Sequence, residues 1–312
     1  MNLGYACINM QLSYPQKYGG KPKGVSPITT GRSMIKRTFE SKGLDYASEL
    51  TLANAMDLNQ IVQWNVINGY KFFRITSGLA PWKSEYDWDD LKDIDEIKGY
   101  LSSVGWVVNK HKLRITSHPG PFNVLTSPHE HVVENCISDL TMHGDVFDMI
   151  GLSRTPFNKI NIHIGGAYGD KPKSMERFCK NFERLPNKVK SRLTVENDDK
   201  QSMYSVKELY DGVYSNIGVP IVFDYHHHRF CDGGLSEQEA LELAISTWPK
   251  GITPATHYSE SRSVEQEDDK IRPQAHSDYV YEKINTYGND IDIMIEAKRK
   301  ELAVAKYLEL HG

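Results

Sequence analysis

Residues 192–198 read Arg-Leu-Thr-Val-Glu-Asn-Asp, a short β-branched run that closes on a carboxylate at Glu196. Apolar runs of this length bounded by polar residues read as buried strands. The arrangement recurs, giving candidate strands over Asn2–Ile8, Tyr70–Ile75, Leu113–Ser117, Lys159–Ile164, Arg192–Glu196, Pro220–Phe223, Ile252–His257 and Ile291–Ile295. Helical stripes lie between them. Val133, Cys136, Ile137 and Leu140 follow the i, i+3, i+4, i+7 spacing, and Ser127-Pro128-His129-Glu130 ahead of them supplies an N-cap, a first-turn proline and a capping-box glutamate. Ser236 to Glu239 opens a second helix with Leu241, Ala244, Ile245 and Trp248 on one face, and Ala53, Met56, Ile61, Trp64 and Ile67 stripe a third. These stripes are expected to be core.

Eight strands alternating with helices predict an α/β fold, a single (β/α)8 TIM barrel over residues 1–312 with a long β1–α1 loop. No repeat or linker divides the chain. A doubly wound open sheet is the alternative, and it lacks a GxGxxG after the first strand. Two loops are oversized, Tyr14 to Glu40 after the first strand and the acidic stretch Tyr258 to Gln274 after the seventh. In a barrel, loops on that side build the active-site face.

With 39% hydrophobic and 25% charged residues, the 312-residue chain is neither disordered nor membrane-spanning in composition, and no run approaches the roughly 18 to 20 apolar residues of a spanning helix. The N-terminal MNLGYACINM has no basic segment followed by an apolar one, so secretion is not expected. Cys7, Cys136, Cys179 and Cys231 show no framework spacing, which suits reduced thiols in the cytoplasm or a nucleus. A net charge of -4 argues against a blanket polycation, but the charge is uneven. Seven Lys or Arg lie between Lys17 and Lys42 against Glu40 alone, eight lie between Lys171 and Arg192, and Lys298, Arg299 and Lys300 form a third cluster. Taken singly, such runs are ordinary solvated surface.

Metal-capable side chains stand at the strand ends. They are His118, His163, Glu196, Asp224, His257 and Glu296, with His227 and His276 in the loops that follow. One such residue is ordinarily structural; six on converging strand ends point to a metal site. A thiolate-free His/Asp/Glu set fits Mn²⁺, Zn²⁺ or Fe²⁺ rather than Ca²⁺, and exceeds the roughly three protein ligands of a single catalytic zinc. Two or three ions are implied, an arrangement suited to phosphoryl transfer. Within His226-His227-His228, His227 is the expected ligand, reaching back from three residues beyond Asp224. His111, His129, His131, His143 and His311 are read as surface or structural.

The ordered segments LGYACIN (3–9), FRI (73–75), SHPG (117–120), HIGGAYG (163–169), LTVEND (193–198), DYHH (224–227), RPQAH (272–276) and IEAKRKE (295–301) resemble the UV damage endonuclease family, a TIM-barrel relative of endonuclease IV. The resemblance spans nearly the whole chain. It implies a DNA repair enzyme that uses a manganese-type cluster, with Zn²⁺ or Mg²⁺ as other candidates, to nick DNA immediately 5′ of a UV photoproduct, either a cyclobutane dimer or a 6-4 photoproduct. The ends left are a 3′-hydroxyl and a 5′-phosphate. It also implies that the eight residues above hold metal with Glu196 as the bridge, that Tyr5 and Asn9 lie near the lesion, and that Lys298 contacts phosphate. Two departures stand out. Pro121-Phe122 replaces a Gln-Tyr pair inserted opposite the lesion, and Ala255 stands where some members carry a modified lysine.

The expected partner is double-stranded DNA carrying UV lesions, bound by a monomer, with no membrane. Alternatives with the same fold are an abasic-site endonuclease and a sugar isomerase of the xylose isomerase type. An isomerase has no use for the basic stretch Lys17 to Lys42, and an inactive DNA-binding module has none for a full ligand set.

Overall fold

A computed structural model describes residues 1–312 and carries a strand at each of the eight expected positions. They are β1 (Leu3–Ala6), β2 (Phe72–Arg74), β3 (Arg114–Thr116), β4 (Ile160–Ile162), β5 (Leu193–Glu196), β6 (Ile221–Val222), β7 (Ala255–Tyr258) and β8 (Asp292–Ile295). All neighbouring pairs are parallel, as helical crossovers require. The ladders form two arcs, β3-β2-β1-β8-β7 and β4-β5-β6. Single bridges, Ser117 to Ile160 and Asp224 to His257, link the arcs at both seams. The curled sheet follows the expected barrel order.

Because side chains alternate across a strand, each strand serves two cores. Tyr5, Phe73, Ile115, Ile162, Val195 and Ile295 point outward beneath the helices in the main core. Ala6, Phe72, Val222, Ala255 and Met294 point into the barrel, where Trp248 joins them. Arg114 is also buried and pairs with the buried Asp292 at 3.0 Å. Burying that charge is tolerable because Arg114 also donates to the Phe157 and Thr253 carbonyls.

The helical layer includes α1 (Met10–Ser13), α2 (Lys36–Ile67), α3 (Ile94–His111), α4 (Glu130–Ile150) and α5 (Lys171–Phe182), followed later by Glu237–Ser246 and Glu301–His311. Gly105 lets α3 meet α4, since a Cβ there would overlap the Ile150 carbonyl oxygen. The capping box at Ser236 and Glu239 forms as expected. The one expected at Ser127 does not. His129 takes the N-cap position without a side-chain bond, Ser127 Oγ accepts the His129 N–H at 3.1 Å, and Glu130 is drawn to Arg184 at 2.5 Å.

The stripe expected on α2 is also corrected. Met56 and Ile67 are exposed, and the buried face runs through Ala47, Thr51, Leu58, Ile61, Val62 and Asn65. The helix starts at Lys36, so Lys36, Arg37 and Lys42 belong to it rather than to the loop. No helix is long and apolar enough to cross a membrane, and all four cysteines are unpaired.

Candidate metal centre

The alternation that sends Tyr5 outward sends Arg74, Asn161, Glu196, His257 and Glu296 into the barrel mouth. Glu196, fully buried, is their common partner. Its Oε2 lies 3.1 Å from His118 Nε2 and 3.1 Å from His257 Nδ1. Its Oε1 faces His227 Nδ1 at 3.3 Å and His163 Nε2 at 3.9 Å. Each carboxylate oxygen therefore addresses its own pair of imidazoles. His257 also reaches Glu296 Oε1 at 3.2 Å, and Asp224 joins those two in a third group whose ligating atoms lie within 4.8 Å of one another. His276 stands at the edge, 3.7 Å from Glu296 Oε2.

These residues fit a cation. His118 Nδ1 faces the Pro119 carbonyl at 3.1 Å and must donate to it, which leaves Nε2 with its lone pair aimed at a carboxylate oxygen. Two acceptors so apposed call for a positive charge between them. Asp224 Oδ2 is buried without a hydrogen-bond partner, a costly state that a metal would relieve. The Nδ1 atoms of His227 and His276 lie near the Asn197 and Glu296 carbonyls at 2.9 and 2.8 Å, bonds that orient the rings.

Neighbouring residues complete the mouth. Asn161 Nδ2 donates to Glu196 Oε2 and Thr194 Oγ1 donates to Asn161 Oδ1 at 2.7 Å, fixing the carboxylate from beneath. The Arg74 guanidinium clamps Glu296 Oε1. Lys159 places its amine 2.8 Å from His257 Nε2, deep in the barrel. Burial, with Arg74 and Arg114 nearby and Glu196 opposing, pushes that amine down to about 7. Ala255, also buried on β7, has no group to offer there. Lys159, Asn161 and Arg74 were not among the site residues expected from sequence. Asn161 stands two residues before His163 along β4, and Lys159 two before that.

Tyr5 and Asn9, expected near the lesion, offer no exposed surface in the structure. Tyr5 and Asn9 are fully buried: Tyr5 Oη donates to Asn65 Oδ1 at 2.5 Å and accepts from Asn9 Nδ2 at 3.0 Å, while Asn9 caps α1. They hold β1 against the helices. Pro121 and Phe122 behave differently, for both are exposed, Phe122 by 86%. At that exposure Phe122 does not pack beneath the loop that carries it. Pro121 lines the cavity of about 540 Å³ that holds Arg74, His118, His163, His227 and Glu296. Lys298 is exposed on the turn after β8.

A profile of the family described as UV-endonuclease UvdE matches residues 1–311. The chain belongs to the UV-endonuclease family. It is 34% identical over 311 residues to the UV-damage endonuclease of Schizosaccharomyces pombe, covering 97% of this chain but about half of that longer protein (49%). Against the UV DNA damage endonuclease of Bacillus thuringiensis the identity is 32% over 327 residues, covering 99% of this chain and 94% of the relative. The solved structure of SacUVDE superposes with a TM-score of 0.79 at 28% identity, covering 99% of this chain and 97% of that one. D-psicose 3-epimerase of Clostridium cellulolyticum, at 12% identity and a TM-score of 0.52 over 81% of this chain and 84% of its own, shares the fold alone.

The mouth's charges predict how metal binding responds to pH in this UV-endonuclease. Burial lowers the His163 pKa, but Glu196 and Asp198 outweigh it and hold the value at about 9. His227 is likewise raised well above the ordinary range, burial being overcome by Asp224 and Glu196. Metal-free protein thus carries protons that a ligating imidazole cannot keep. Uptake of Mn²⁺ near neutral pH should release protons, and apparent affinity should rise with pH toward about 9, where His163 loses its proton unaided. Titration calorimetry in buffers of different ionisation enthalpy measures the protons released; zero release at pH 7 contradicts ligation by these histidines.

Proposed function

We propose that this chain hydrolyses the phosphodiester immediately 5′ of a UV photoproduct in duplex DNA, leaving a 3′-hydroxyl and a 5′-phosphate. Membership of its family makes it a DNA repair endonuclease acting on UV damage. The proposal adds the bond cut, two or three divalent ions with Mn²⁺ as the native metal and Zn²⁺ or Mg²⁺ as substitutes, and the residues responsible. The supporting observation is the Glu196 carboxylate, whose two oxygens face separate pairs of imidazoles as a bridge between ions requires.

His118, His163, Glu196, Asp224, His227, His257, His276 and Glu296 would hold the ions. When bound, such ions polarise a phosphoryl oxygen and lower the pKa of water. The protein's own share is positional. Asn161 and Arg74 fix the two glutamates, and the exposed Phe122 enters the duplex as a wedge beside Pro121. Lys298 and the basic loop hold the phosphate backbone. The Arg299 guanidinium donates to Tyr18 Oη and lies over its ring at 5.5 Å, which brings the loop bearing Lys17, Lys21 and Lys23 to the Lys298 turn. By contrast, the stretch from Lys171 to Arg192 is largely paired, through Glu208, Asp145, Glu183 and Asp148, which leaves few of its charges for phosphate. The reading extends to one catalytic unit working as a monomer inside the cell.

Neutralising Lys17, Lys21 and Lys23 together should flatten the salt dependence of DNA affinity, by about 0.9 in the slope of log K against log salt for each phosphate no longer neutralised. An unchanged slope would make the loop ordinary surface. The function itself is tested with Mn²⁺-loaded protein on three duplexes, carrying a photoproduct, an abasic site or no damage. Preference for the photoproduct is expected; a nick at the abasic site alone would replace this reading with the abasic-site endonuclease.

A further inference from the structure

Tyr168 occupies a backbone position that favours glycine, and the fold gains little from it there. The Asp170 N–H donates to the Ala167 carbonyl at 2.9 Å, closing a four-residue turn whose central residues, Tyr168 and Gly169, have φ of 48° and 76°. Positive φ at both places is the mark of a type I′ turn, where Asn-Gly is preferred and a bulky residue is strained. Burial does not compensate, since Tyr168 is 50% exposed. Strain of this kind concentrates at functional sites.

The surroundings indicate a use. The turn follows β4 directly beyond His163 and Gly166, both of which line the metal cavity. The Tyr168 ring lies against Gly166, where a Cβ would approach it to 3.1 Å. Behind the ring, 5.6 Å from its centre, is the guanidinium of Arg177. Arg177 is pinned: Nε donates to the Thr126 carbonyl and Nη2 to Ser174 Oγ, each at 2.8 Å, and Ser174 Oγ donates to the Ala167 carbonyl at 2.7 Å. Gly165 locks this loop to the one carrying Phe122, because at φ 107° a Cβ would lie 2.5 Å from Val124 and 2.7 Å from Thr126. Two exposed aromatic side chains thus stand on interlocked loops whose adjacent residues, Pro121 and Gly166, line the metal cavity.

We propose that Tyr168 is a DNA-binding residue for the nicking reaction, its ring stacking on a nucleobase of the bound duplex beside the metal cavity. This rests on the endonuclease reading above. Every base has a π-face, so a rigid, cation-backed ring gains contact without reading sequence. A merely structural tyrosine differs in one measurable respect. Glycine suits φ 48° better than any L-residue, so Tyr168→Gly should preserve or raise the melting temperature.

The test compares wild type, Tyr168→Phe and Tyr168→Gly by melting temperature, by Kd for the photoproduct duplex, and by kcat and KM for nicking. Tyr168→Phe should stay within about twofold of wild type. Tyr168→Gly should keep its stability while Kd and KM rise by about fivefold to a hundredfold, the range expected when one base–aromatic stack is removed, with kcat changing least. Wild-type Kd in Tyr168→Gly overturns the proposal, as does a lowered melting temperature with a proportionate loss of activity. Wild-type protein that binds but does not nick the photoproduct duplex contradicts the endonuclease reading instead, while the Kd comparison still decides the role of Tyr168.

Discussion

Glu196→Gln is expected to abolish nicking, by about a thousandfold or more, while the fold survives. Several kcal/mol of charge stabilisation would depend on a carboxylate that holds two ions, and each 1.36 kcal/mol is tenfold in rate. The amide preserves size, but one oxygen becomes an NH₂ group facing imidazoles that a ligand must approach. Burial alone would raise the pKa of this glutamate. His257 and His163, with bonds to His118 and His227, hold it well below the usual range, so the charge removed is one the site is built around. Metal content, melting temperature and nicking rate, measured together, decide. A variant with wild-type metal content and full activity contradicts the bridging role.

Phe122→Ala should give the second large effect, and it should spare stability. A side chain 86% exposed contributes little burial, and surface truncations of this kind ordinarily fall within about 0.5 kcal/mol. A photoproduct weakens stacking and pairing, so the step that yields to an apolar wedge identifies it. Pro121 has neither the amide nor the reach of glutamine and offers the unpaired bases no hydrogen bond. Discrimination then rests on deformability, and the wild-type protein should accept several helix-distorting lesions. Truncating Phe122 should lower nicking of damaged duplex by about ten- to a hundredfold, on the scale of one or two base–aromatic stacks. An unchanged ratio of damaged to undamaged nicking would remove Phe122 from lesion reading.

The strands were readable because β-branched runs in a parallel barrel are buried on both faces and stand out against charged helices. The grouping of candidate ligands was readable for a related reason: a parallel barrel brings every C-terminal strand end to one mouth. Tyr5 shows the limit of that argument. Position near the mouth places a residue's backbone, but alternation decides its direction, and Tyr5 shares its face with Phe73 rather than with Ala6. Asn161 and Lys159 carry the converse lesson, lying two and four residues before His163 on the inward face, where a polar residue in an apolar run is itself the signal. The α2 stripe misled because the buried face, a regular series through Ala47, Thr51, Asn54, Leu58, Ile61 and Asn65, includes polar residues while the apolar Met56 and Ile67 face outward, so hydrophobicity alone selects the wrong register. Exposure of Phe122 depends on how the third loop turns, which its composition does not specify.

The position of the nick is the most direct test. End-labelled duplex with one cyclobutane dimer, incubated with Mn²⁺-loaded protein, should yield a single break at the phosphodiester immediately 5′ of the dimer. It should leave a 3′-hydroxyl that a polymerase extends and a 5′-phosphate that a ligase accepts. Cleavage on the 3′ side, a 3′-phosphate, or breaks scattered equally over undamaged duplex would contradict the assignment.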